Sequence, residues 1–101
     1  MLPAVIAVLL LAPALGDFGN EADRELRRLP HDVRVHIDRQ RSCNHWAGEE
    51  PYDADRRLQI EAAVRELRCA RLEREERQLR RRYARVPAVL EAISDNREVA
   101  Y

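Results

Sequence analysis

The chain has no lysine and no threonine, only two serines, three glycines and two cysteines, and five aromatic residues. Each scarcity closes a class of function. Ser42 and Ser94 stand without the neighbouring base that a hydroxyl nucleophile needs. Five aromatics supply little material for a pocket walled off from water, so the chain reads as a non-enzyme. No charge of one sign prevails: 18 basic residues, all arginine, balance 18 acidic ones. A dedicated polyanion binder carries a basic excess, so no nucleic-acid partner is expected. No apolar run reaches the roughly 20 residues that span a bilayer. At 101 residues there is room for one domain at most.

What is present begins with an address. Met1 to Gly16 carries no charged side chain, and Pro3 and Pro13 bracket the apolar run Ala4–Ala12. That run fits the hydrophobic region of a secretory signal, with Ala14-Leu15-Gly16 as a small-residue cleavage site before Asp17. The expectation is a signal peptide over residues 1–16 and a periplasmic or secreted product with no stable membrane insertion after cleavage. The competing reading is an uncleaved anchor or a buried helix, because the α-amino group is the only positive charge ahead of the run. No cysteine follows the cleavage site, so a lipid-modified N-terminus is not indicated. All charged residues fall beyond residue 16, and so small and charged a remainder is marginal unless stapled.

Beyond the leader, residues 17–29 form a polar segment in which Asn20 can cap a short helix over Glu21–Arg28. Residues 30–94 make the domain and 95–101 a tail. Val33, Val35 and Ile37 alternate with polar residues as a strand would, yet Leu29, Val33, Ile37 and Gln40 share a helical face. No second strand exists to pair with, so the stretch reads as a helix near 31–43, with Pro30 at its first position. Asn44 to Pro51 reads as a loop broken by Gly48, and Asp53 caps the next helix at Ala54. From Ala54 to Val86 there is no Gly or Pro and strong helix formers dominate. This predicts one long central helix near 54–85. A 4-3 stripe through Leu58, Ala62, Arg65, Cys69, Leu72, Glu76, Leu79 and Tyr83 is flawed at Arg65 and Glu76. Ile60, Ala63, Val64 and Leu67 lie opposite, which predicts coverage of Leu58–Ala70 on both faces. Pro87 opens a closing helix near 87–94. The fold class is all-α: a small, disulfide-pinned helical domain.

In an exported chain, Cys43 and Cys69 normally oxidise to one disulfide. The closed loop of about 27 residues is worth roughly 3 kcal/mol on chain entropy. The competing use of these residues is a metal- or ligand-binding site of Cys43, His45 and Cys69, with His36 as a further candidate. Cys-x-His plus one distant Cys does not match the paired spacings of structural zinc sites. A redox Cys-x-x-Cys and a haem-attachment Cys-x-x-Cys-His are absent. No cofactor is expected.

The densest stretch is Cys43-Asn-His-Trp-Ala-Gly-Glu-Glu-Pro-Tyr-Asp53. Trp46, Glu49, Glu50, Tyr52 and Asp53 form an aromatic and acidic loop suited to a basic protein partner in the periplasm, as an interaction or inhibitor-type module would present. The competing reading buries Trp46 and Tyr52 against Ile60, Val64 and Leu67. The carboxylates with His45 otherwise read as caps on a solvated loop rather than acid–base machinery. Arg80-Arg-Arg82, with Arg77 and Arg85, reads as a solvated helix end.

The order Cys43-x-His45-Trp46-x-Gly48-Glu49-x-Pro51-Tyr52-Asp53, then Cys69, Leu79, Tyr83 and Pro87-Ala-Val-Leu90, resembles a group of small exported proteobacterial proteins of no assigned activity. The likeness covers roughly residues 32–93. A more distant likeness is to the helical, disulfide-containing domain of lysozyme-inhibitor-like periplasmic proteins. The resemblance implies a periplasmic home and a disulfide, and supplies no catalytic residues. The group breaks its helix after the second cysteine, whereas Cys69-Ala-Arg-Leu-Glu reads here as continuous.

Overall fold

A computed structural model describes residues 21–97; the expected leader over 1–16, the Asn20 cap and the end of the tail lie outside them. Among the described residues there are five α-helices, one 3-10 turn and no strand, so the chain is all-α. Helix α1 spans Glu21–Arg27, α2 His31–Ala47, α3 Ala54–Glu66, α4 Leu72–Arg82 and α5 Pro87–Asp95; the 3-10 turn is Cys69–Arg71.

The strand-like alternation of Val33, Val35 and Ile37 resolves as helix. Val33 and Ile37, four apart, are fully buried, while Val35 is exposed. Pro30 stands at the N-cap, one position earlier than expected, with the extended backbone its ring imposes. Helix α2 runs one turn past the expected end at Cys43, so His45 and Trp46 belong to its last turn rather than to a loop. It stops at Gly48, which keeps right-handed backbone angles (φ −87°, ψ −3°), so poor helix propensity ends the helix and not a turn that only glycine can make. Asp53 caps α3 as read from sequence, its carboxylate accepting from the Arg56 N–H at 2.7 Å.

The core lies where α2, α4 and α5 meet. Val33, Ile37, Leu79, Val89 and Ile93 are buried together, with Leu26, Leu29, Tyr83 and Ala92 packed around them. Burying each such branched side chain stabilises the fold by about 1.5–3 kcal/mol. Glu76, a flaw in the apolar stripe, is buried but paired, with Arg80 at 2.9 Å and Arg97 at 3.6 Å. Tyr83 Oη donates to Asp32 Oδ1 at 2.8 Å and Arg82 Nη1 to Asp32 Oδ2 at 2.7 Å, closing the end of α4 on the start of α2.

Two expectations are corrected here. The single helix near 54–85 is two helices, broken at Leu67–Arg68, where Arg68 takes left-handed angles (φ 56°, ψ 45°). It is the only non-glycine residue with positive φ among those described. Left-handed backbone costs a non-glycine residue about 1–2 kcal/mol, and the local sequence offers no reason to accept it. The reason is tertiary. Cys69 is bonded to Cys43 of α2, with Cα atoms 5.8 Å apart. Arg39 of α2 donates Nε to the Leu67 carbonyl and Nη2 to the Arg68 carbonyl, each at 3.0 Å, and its Nη1 pairs with Glu75. The second correction concerns Leu58–Ala70. It is not covered on both faces: α3 contributes no buried residue, and Leu58 is 63% exposed.

Candidate functional site

The stretch singled out in sequence is divided between the last turn of α2, a short loop and the start of α3. Trp46 is half-buried, with the Arg56 guanidinium 5.3 Å from the centre of its ring and the His45 imidazole meeting it edge-on at 5.6 Å. A guanidinium over an indole face is attracted by the ring quadrupole. Glu49 then closes the cluster: one oxygen lies 3.2 Å from His45 Nε2, the other 3.1 Å from Arg56 Nη2. Arg56 also donates to Gln59 Oε1 at 3.0 Å. Arg56 therefore organises this corner through its aromatic, acidic and amide contacts together. Its signal in sequence was its place one turn beyond the cap residue Asp53.

The candidate residues separate by role. Glu49 is held by Arg56 in an ion pair beside His45 and Asp53 is a helix cap, so both have work inside the fold. Glu50 is exposed and Tyr52 is 77% exposed, turned away from the protein. Trp46, by contrast, faces the same groove as Ile60 and Val64. Together with Pro51 and Ala70 they line this groove of about 560 Å³, one wall of which is Cys69 of the disulfide. Glu49, Arg57 and Glu61 edge it. The Ile60 and Val64 stripe was legible in the helical spacing. That it and Trp46 line an open groove was not, because the groove depends on where the break at Arg68 places α3.

The sulfurs of the competing metal set are joined to each other, so neither is a free thiolate ligand. Among the described residues no group of three or more His, Cys, Asp or Glu side chains converges as metal ligands would. His36 lies away from the groove, buried beneath α4 with no partner for Nδ1. Burial pushes its pKa below the ordinary 6.5; Glu75 and Glu76 pull it upward, Arg39 and Arg80 downward. Asp32 shows a different balance. Burial would raise its pKa, but the Tyr83 hydroxyl, Arg82 and the Val33 N–H together hold it below the ordinary 3.8. Tyr83 is raised above 10.0, chiefly because its proton is held by Asp32.

No helix among the described residues is long and apolar enough to cross a membrane. The chain matches no protein-family model, no curated protein and no solved structure.

Proposed function

We propose that the chain is an exported, disulfide-stapled module that binds another protein through the groove between Trp46 and the Ile60–Val64 face of α3. One observation carries this reading. Helix α3 is tied to the body by the disulfide, by Arg39 at its C-terminal end and by Arg56 on Trp46, yet none of its side chains is buried. Those ties hold an apolar groove open to solvent. Apolar surface kept uncovered on so charged a chain is a mark of an interaction site, and rigidity lowers the entropy lost on docking. Glu49, Glu50 and Glu61 favour a partner segment with apolar side chains flanked by basic ones. The leader-like run before residue 17 and the disulfide both support export, since disulfides persist in oxidising compartments. The resemblance to small exported proteobacterial proteins agrees with it.

The test is capture from periplasmic extract by the oxidised protein. Ile60→Glu with Val64→Glu should abolish capture, with circular dichroism confirming that the variant is folded, since both side chains are half-buried. Glu50→Arg should weaken capture of a basic partner. Glu49→Ala is a poorer probe, since it also breaks the pairs with His45 and Arg56. Captured proteins unchanged by the groove substitutions would make this stretch scaffold and end the proposal. Intact-mass analysis should find a product beginning near Asp17; full-length chain in the membrane fraction would reject cleavage.

A further inference from the structure

Although the chain is neutral overall, α4 sorts its charges by face. Leu72, Glu76 and Leu79 are buried. The acids of α4 are all engaged: Glu75 with Arg39, Glu76 with Arg80 and Arg97, Glu73 with Arg77. On the side away from the core, Arg71, Arg74, Arg77 and Arg81 follow one another at helical spacing, all exposed. They fall within about 15 Å along the axis. Arg71, Arg74 and Arg81 pair with no carboxylate among the described residues, and Arg77 meets Glu73 only at 3.7 Å, with both side chains mostly in solvent. Such an exposed pair contributes little and opens readily to a competing anion.

We infer that this arginine ridge is a second surface, separate from the groove, that seats the protein on anionic phospholipid headgroups. Guanidinium groups match phosphate oxygens in a fork geometry, and a row of them on a convex helix face meets a planar array of phosphates without any rearrangement. Nucleic acid fits less well. The ridge carries no aromatic side chain on which a base can stack. Nothing here inserts across the bilayer; the contact is peripheral and electrostatic. The inference takes the membrane as the available phosphate surface from the exported reading, and does not depend on the groove having a partner.

The experiment is co-sedimentation of the oxidised protein with vesicles of phosphatidylglycerol and phosphatidylcholine, and with phosphatidylcholine alone. Binding is expected to the anionic vesicles only, and to fall steeply as salt shortens the screening length. Arg74→Gln with Arg81→Gln should lower the partition coefficient by about tenfold or more. The control, Arg28→Gln with Arg65→Gln, removes equal charge elsewhere and should leave partition within about twofold of the parent, since only charges close to the membrane surface contribute. All four side chains are exposed, so circular dichroism should show every variant folded. Equal binding to neutral vesicles, equal loss in ridge and control variants, no binding at low salt, or tighter binding to duplex DNA than to anionic vesicles would each overturn the assignment. Ile60→Glu with Val64→Glu should bind vesicles as the parent does, which separates this surface from the groove.

Discussion

The Arg39 guanidinium donates to the Leu67 carbonyl at 3.0 Å, across 28 residues of sequence. That oxygen is one of the orphan carbonyls at the C-terminal end of α3, and a side chain from another helix satisfies it. The same guanidinium reaches the Arg68 carbonyl and the Glu75 carboxylate. Arg39→Ala should therefore destabilise the protein by about 1–3 kcal/mol, the range for losing charge-assisted hydrogen bonds. Urea unfolding measures it, and Arg39→Lys should recover only part of the loss because an ammonium cannot span all three acceptors.

Arg68 supplies the opposite sign. Its left-handed backbone suits glycine, which pays no Cβ penalty there. Arg68→Gly should be neutral to stabilising by up to about 1 kcal/mol, although glycine in a regular helix would destabilise by about that amount. A clear loss of stability on chemical denaturation would mean that the helix is continuous through residue 68.

The disulfide closes a loop between Cys43, which is fully buried, and Cys69. Cys43→Ser with Cys69→Ser should lower stability by about 3 kcal/mol and the melting temperature by about 10 °C or more in a domain of this size. The parent protein should titrate no free thiol until reduced. Two free thiols in protein purified under non-reducing conditions would refute the pairing.

Stability should fall in two acid windows. His36 has a folded pKa below its ordinary 6.5, so the unfolded chain binds the proton first, and stability falls as the pH drops from about 6.5 toward the lowered folded value. The carboxylates of Glu75 and Glu76 soften this loss and the guanidiniums of Arg39 and Arg80 sharpen it. Asp32, lowered from 3.8, contributes stability that is present above that value and lost as the pH falls through its folded pKa. Urea melts at pH 7.5 and 5.5 should show the first loss in the parent, and His36→Leu should flatten it. Tyr83→Phe should diminish the second window, below pH 4, without changing the first.

The helices themselves were legible in the sequence because their signals are local. Val33 and Ile37 at a four-residue interval, Asp53 ahead of Ala54, and Pro87 at the start of the last helix each act through backbone geometry within one turn. The all-α class follows from those signals and from the lack of any second strand. The disulfide could be expected from two cysteines behind a leader-like run. The break at Arg68 could not, because Leu67-Arg68-Cys69-Ala70 are helix formers and local propensity favours continuing. Only tertiary contacts reverse that preference: a bond to Cys43 and a guanidinium from α2 that satisfies the carbonyls a break exposes. The groove depends on the same contacts, since the break sets where Ile60 and Val64 lie relative to Trp46. Composition likewise showed a neutral chain with no bias toward polyanions. Only the folded structure, by engaging Glu73, Glu75 and Glu76 with arginines, leaves Arg71, Arg74 and Arg81 without a carboxylate partner among the described residues, on one face, because charge balance along a chain says nothing about which side chains meet in space.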